Sequence, residues 1–191
     1  MDILVISTSP NTDGLTAACA RAALDGISQA GGEAKEVRLN DLSIGSCKAC
    51  DNGWGTCRDE HYCKELDDFQ ALHERVRNAD AFVFVTPVYW GDLSESMKAF
   101  TDRLRRCEGL RNDESGLYQK PILVVAAAGG SGNGMITCLS SFERWIEHVH
   151  ARKWDFIPVN RWSREYKLET IRAAAEAMTS TARNARNPSA G

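Results

Sequence analysis

The sequence has little of what would direct it to nucleic acid, a bilayer or an oxidising compartment. Its 23 Lys and Arg against 26 Asp and Glu leave a formal net charge of −3. That balance excludes the basic surface that nucleic acid or an anionic membrane demands. No apolar run approaches the ~20 residues of a membrane span. Met1 leads straight into an apolar strand with no basic segment ahead of it, so a cytoplasmic protein is expected. Seven cysteines without a secretory signal point to reduced thiols rather than a disulfide framework. The four histidines show no metal-ligand or nucleophile spacing. Asp102-Arg103 reads as forming structural or interface ion pairs and not acid–base machinery. No catalytic side chain and no metal ligand are therefore assigned. Two phosphate signatures are also missing, the P-loop with its lysine and the three-glycine dinucleotide fingerprint.

What is present is alternation. Apolar strands and amphipathic helices follow one another from end to end, the pattern of a parallel sheet covered on both faces. Strands are expected at Asp2–Ser7, at Glu33–Leu39 on an edge, at Ala81–Val85, at Pro121–Ala127 and at Lys153–Val159. A small-residue helix spans Leu15–Ala30 and is closed by Gly31-Gly32. Asp67 with Gln70 caps a second helix buried through Phe69, Leu72, Val76 and Ala79. Asp92 with Glu95 is read as the start of a third, with Met97, Phe100, Leu104 and Cys107 inward. Met135, Leu139, Phe142, Ile146 and Val149 mark a fourth, and Leu168, Ile171, Ala175 and Met178 the last. Residues 1–182 form one domain, and 183–191 are expected to fray. The fold class is α/β, a flavodoxin-like three-layer sandwich with five parallel strands in the order 2-1-3-4-5.

In such a sheet the loops after strands one, three and four emerge at the carboxyl edge, beside the point where strand order reverses. All three are unusual here. Ser7-Thr8-Ser9-Pro10-Asn11-Thr12-Asp13-Gly14-Leu15-Thr16 runs directly into a helix and offers amides and hydroxyls to a terminal phosphate. Strand three stops at Thr86-Pro87 and releases Val88-Tyr89-Trp90-Gly91, two aromatics suited to lining a flat ligand. After strand four, Gly129-Gly130-Ser131-Gly132-Asn133-Gly134 lets backbone approach a ligand closely. A phosphate cradle, an aromatic wall and a glycine surface on one edge suit a phosphorylated planar cofactor, and FMN meets all three demands.

These residues, with Ser94, Met97-Lys98-Ala99-Phe100 and Asp102-Arg103, closely resemble the flavodoxin-like NAD(P)H-dependent FMN/quinone reductase family over roughly residues 1–150. The resemblance implies that Ser9, Asn11, Gly14, Leu15 and Thr16 hold the FMN phosphate. Pro87, Val88, Tyr89, Trp90 and Gly91 line the ribityl chain and ring, and Gly129 with Gly130 meets the ring's polar edge. Family members often carry arginine where this chain has Asn11. The activity implied is ping-pong hydride transfer from NADH or NADPH, a transient co-substrate, through FMN to a quinone, flavin or similar small acceptor. A homodimer or homotetramer is implied as well.

Asn40–Leu66 is long, without periodicity, and carries Cys47, Cys50, Cys57 and Cys63. Four cysteines can hold an iron–sulfur cluster, and the loop is similar to that of the iron–sulfur flavoproteins, a branch of the same family. This supports an alternative, a cluster-bearing electron carrier. Those proteins leave two residues between their second and third cysteines, and Gly53 stands where that third cysteine belongs. Only one Cys-x-x-Cys pair is present, which disfavours a zinc ribbon. Cys19, Cys107 and Cys138 fall on helices as core residues.

Overall fold

The computed structural model describes residues 1–186. Within them strands and helices alternate as β1 (Asp2–Ser7), α1 (Leu15–Gln29), β2 (Glu33–Arg38), α2 (Phe69–Asn78), β3 (Ala81–Pro87), α3 (Glu95–Glu108), β4 (Pro121–Ala128), α4 (Met135–His148), β5 (Arg152–Asn160) and α5 (Arg164–Arg186). All neighbouring strands are parallel, in the order β2-β1-β3-β4-β5. The flavodoxin-like sheet expected from the alternation is the one observed. β3 and β4 are buried from end to end apart from the half-buried Pro87, and so read as unbroken apolar runs. The edge strands β2 and β5 carry exposed charges.

The period-two side-chain alternation of strands divides the core in two. Ile3, Val5, Val83, Val85, Leu123 and Val125 pack under α1 and α5 through Cys19, Ala23, Ile27, Ile171, Ala175 and Met178. Leu4, Ile6, Phe82, Phe84, Ile122 and Val124 pack under α2, α3 and α4, where Phe84 meets Phe142 and Trp145 with ring centroids 5.5 and 5.4 Å away. Crossovers to opposite faces therefore follow the adjacent strands β1 and β3, which opens a crevice at their carboxyl ends. α1 lies so close to α5 that a Cβ on Gly26 would sit 2.1 Å from the carbonyl oxygen of Arg172.

Two boundaries differ from expectation. α3 is capped by Ser94, whose hydroxyl accepts from the Met97 amide, and not by Asp92, whose carboxylate closes the preceding turn on Leu93 N. Asp92 is held in a β-bridge to Tyr89 and cannot take the cap position. The segment from Arg183 is helical through Arg186, and the Arg183 guanidinium donates to the Ala30 carbonyl at the end of α1. Residues 187–191 of the expected tail lie outside the described residues. Asp67 and Gln70 do bond at the start of α2, with Asp67 N donating to Gln70 Oε1 and Phe69 N to Asp67 Oδ1, although Asp68 stands directly before the helix and its side chain caps nothing.

Candidate functional site

α1 begins at Gly14 with no side-chain cap, so the amides of its first turn have no capping acceptor among the described residues. That is the donor set of an anion site. Ser9 Oγ accepts from Asn11 N and shapes the loop, and Thr16 lies buried in the first turn. Two cations that sequence reasoning missed steady the same loop. Arg38 donates to the Ser9 carbonyl at 3.3 Å and Arg21 to that of Thr12 at 3.2 Å. Arg38 ends β2 opposite Ser7, the last residue of β1, so only the 2-1 strand pairing delivers it here. These guanidiniums bring positive charge to a loop in which Asn11 has none.

The aromatic segment is a tight hairpin. Tyr89 and Asp92 exchange backbone hydrogen bonds of 3.0 Å, with φ of 51° at Trp90 and 79° at Gly91. Positive φ at both central residues is the type I′ pattern. A tryptophan rarely accepts such backbone, and this one stands wholly exposed at 106%. Gly91 is fixed by its neighbours, since a Cβ there would lie 2.8 Å from Thr137 Oγ1, and one on Gly134 would lie 2.6 Å from the Gly91 Cα. Thr137 Oγ1 donates to the Gly91 carbonyl at 2.7 Å and pins the hairpin to the first turn of α4.

The loop after β1 and the hairpin are joined by buried hydroxyls. Ser94 Oγ donates to Thr8 Oγ1 at 2.8 Å, Thr8 Oγ1 to Thr86 Oγ1 at 3.2 Å, and Ser94 N to Thr86 Oγ1 at 3.2 Å. Beyond the hairpin opens a cleft of about 580 Å³ lined by Val88, Trp90, Gly91, Ser131, Asn133, Gly134 and Thr137. Of the residues picked from sequence, Val88, Trp90 and Gly91 line this cleft. Ser9, Asn11, Gly14, Leu15 and Thr16 lie in the loop after β1 and the first turn of α1, and they, like Pro87 and Tyr89, are not among the residues lining this cleft. Gly129 and Gly130 are exposed, and a Cβ on either would meet nothing within 4 Å. Their smallness answers no need inside the protein and leaves room beside the cleft. Ser131, Asn133 and Gly134 belong to the glycine loop read from the sequence as a close-approach surface, whereas Thr137 was not singled out. Taken together, an uncapped helix start, an aromatic hairpin and an open glycine edge fit FMN.

The cysteine loop is organised around a buried arginine. Arg103, 1% exposed, donates to the Asp67 carboxylate at 2.6 Å and to the carbonyls of Glu65 at 2.7 Å and Gly45 at 3.2 Å, and lies 4.3 Å from the Phe69 ring centre. Burial opposes ionisation of Asp67, but the Arg103 guanidinium and the amides of Gly45 and Phe69 outweigh it and hold its carboxyl below the ordinary value. Arg103 thus makes an internal ion pair with Asp67, and Asp102 pairs with Lys98 on the same helix. Arg106 stacks on Trp54 and bonds the Gly53 carbonyl. Burial pushes Cys19 and Cys138 up to about 12, and Cys107 higher still, as expected of core thiols.

Cys47, Cys50, Cys57 and Cys63 do line one cavity, together with Arg103 and Arg106. Its volume is about 20 Å³, close to the roughly 10–15 Å³ that a single water needs. Among the described residues no three His, Cys, Asp or Glu are placed to hold a metal ion. The thiols therefore do not fit an iron–sulfur cluster in this arrangement. Gly53, where a third clustered cysteine would stand, has φ of 127°, a conformation that side chains rarely adopt.

Residues 1–153 match the family model described as NADPH-dependent FMN reductase. The chain is 30% identical over 150 residues to an iron–sulfur flavoprotein of Methanosarcina thermophila, covering 78% of this chain and 74% of that one. It is 28% identical to an NADPH azoreductase of a Bacillus species, covering 79% and 71%. An NAD(P)H:quinone oxidoreductase from Methanothermobacter marburgensis superposes with a TM-score of 0.67 at 16% identity, covering 93% of this chain and 96% of that one, which shows the shared fold.

Proposed function

The chain belongs to the NADPH-dependent FMN reductase family, with iron–sulfur flavoproteins among its relatives, and we propose on that premise that it passes electrons from NAD(P)H through FMN to a quinone, flavin or similar small acceptor. Membership makes it a flavin-dependent NAD(P)H oxidoreductase. The acceptor class and the ping-pong order are our reading. The observation that carries it is the junction of the uncapped α1 terminus with the Trp90 hairpin through the Thr8, Thr86 and Ser94 hydroxyls.

When bound, FMN supplies hydride acceptance from NAD(P)H and hydride donation to the acceptor. The protein supplies position and electrostatics. The amides of Leu15 and Thr16, with Ser9, Asn11 and Gly14, hold the phosphate dianion, and Arg21 and Arg38 add to the field there. Pro87, Val88, Tyr89, Trp90 and Gly91 line the ribityl chain and orient the ring. Amides at Gly129 and Gly130 stabilise negative charge at the ring's polar edge. No side-chain nucleophile or acid is needed for this reaction.

Trp90, Ile136, Trp162 and Tyr166 are exposed at 106%, 68%, 64% and 62% near this edge. An exposed apolar surface of this kind supports the reading that a second copy covers the flavin in a homodimer or homotetramer. Seven free thiols support a cytoplasmic location, and among the described residues no helix is long and apolar enough to cross a membrane.

The test is to titrate the protein with FMN by fluorescence quenching, then follow anaerobic reduction by NADH and NADPH and reoxidation by quinones. A parallel-line pattern in initial rates is expected. Absence of NAD(P)H oxidation with every quinone or flavin acceptor would refute the reading.

A further inference from the structure

Between α3 and α4 runs a second groove of about 320 Å³, lined by Asp92, Leu93, Lys98, Thr101, Asp102, Arg105, Ser141, Arg144, Trp145 and His148. It adjoins the flavin cleft. Gly91 and Thr137 line the cleft, while Asp92, the next residue, and Ser141, one helical turn on, line the groove. Its charges are unevenly matched. Lys98 is paired with Asp102 on the same helix, and the Asp92 carboxylate is spent on the Leu93 amide. Elsewhere on α4, Glu143 pairs with Lys153. Arg105 and Arg144 have no carboxylate partner among the described residues, and Arg144 donates only to Ser141 Oγ at 3.3 Å. Partial burial, and then the charges of Arg105 and His150, hold the His148 imidazole below its ordinary value. The lower end of the groove is therefore a place of unspent positive charge.

We propose that Arg105 and Arg144 bind the 2′-phosphate of NADPH, so that the α3–α4 groove selects the phosphorylated nicotinamide nucleotide over NADH. The inference rests on the NAD(P)H oxidoreductase reading and extends it to a subsite. Arg144 lies seven residues beyond Thr137 along α4, about 10 Å at the helical rise, and His148 about 16 Å. A dinucleotide laid along the groove from the cleft spans that order of distance. Guanidinium forks match phosphate oxygens in geometry as well as charge. His148 lines the same groove and brings an imidazole beside the two guanidiniums. Arginine is also the residue that accommodates a 2′-phosphate in other NADP sites.

The test compares the FMN-loaded native protein with Arg105→Gln, Arg144→Gln and the double variant. The ratio of kcat/KM for NADPH over NADH is expected to fall roughly ten- to hundredfold in the double variant, the effect of losing charge-assisted hydrogen bonds. Calorimetric titration with 2′,5′-ADP, 5′-AMP and inorganic phosphate supplies a readout independent of turnover. Binding of 2′,5′-ADP that is tighter than either and lost in the double variant supports the proposal. An unchanged nucleotide ratio overturns it, as does equal binding of 5′-AMP, competition by inorganic phosphate at the same concentration, or a change in sedimentation that makes these arginines a subunit contact. If the native protein oxidises neither nucleotide, the enzymatic reading falls, and the 2′,5′-ADP titration still decides whether the groove is a phosphate subsite.

Discussion

Ser94→Ala tests the link between the two halves of the flavin site. The hydroxyl has three partners to lose. It accepts from Met97 N at 3.4 Å as the cap of α3 and from Thr86 Oγ1 at 3.3 Å, and donates to Thr8 Oγ1 at 2.8 Å. A lost cap costs about 1 kcal/mol, and the length of this one sets it at the low end. A buried hydrogen bond adds about 1–2 kcal/mol, limited here because Thr8 Oγ1 keeps Thr86 Oγ1 at 3.2 Å. The total, about 2 kcal/mol, corresponds to a fall in Tm of roughly 4–8 °C for a domain of this size. Urea unfolding of the FMN-free protein should show a lower midpoint with unchanged m. FMN affinity should fall along with stability, because the loop after β1, proposed to hold the phosphate, and the hairpin are no longer held in register. A double-mutant cycle with Thr8→Val isolates the pair and should return a coupling of about 1 kcal/mol. A loss of stability under 0.5 kcal/mol, or zero coupling with intact FMN affinity, would refute the idea that these hydroxyls assemble the site.

Gly26→Ala should cost about 3 kcal/mol or prevent folding, because its Cβ would meet the Arg172 carbonyl oxygen at 2.1 Å in two packed backbones; thermal melts measure it. Glu108 is fully buried and held 2.5 Å from His73 Nε2. Burial opposes its ionisation, but His73, the Gly116 amide and Ser115 outweigh that and lower its carboxyl below the usual range. Its stabilisation is therefore complete above the unfolded value of about 4.3 and is lost as pH falls through the lower folded value. In Glu108→Gln, melts from pH 7 down to about 3 should show a flatter acid limb. Anaerobic treatment with iron and sulfide should give flavin absorbance without a broad cluster band, since the cysteine cavity holds little more than a water; stoichiometric iron and acid-labile sulfide would refute this.

Much of the fold was legible because its causes are local. β3 and β4 are unbroken apolar runs because helices cover both faces of them. Met97, Phe100, Leu104 and Cys107 recur at helical spacing and all prove fully buried. Gly129 and Gly130 were legible as open backbone because nothing in a strand-to-helix turn needs two successive glycines. Asp92 misled because a capping box is only a spacing rule, and the hairpin bridge to Tyr89 had already taken its backbone.

The sequence by itself determined the element order, the apolar faces and the three loops that share the carboxyl edge, since each follows from periodicity and turn chemistry within a few residues. Tertiary structure alone decided what those loops meet. Arg38 reaches the loop after β1 only through the β1–β2 register, Ser94 reaches Thr8 across 86 positions, and Gly91 touches Gly134 only because β3 and β4 are neighbours. The pairing of Arg103 with Asp67, which makes the cysteine loop a packed structure with a cavity of about 20 Å³, is decided there too. Contacts between residues distant in the chain depend on how the sheet closes, and no local spacing encodes that.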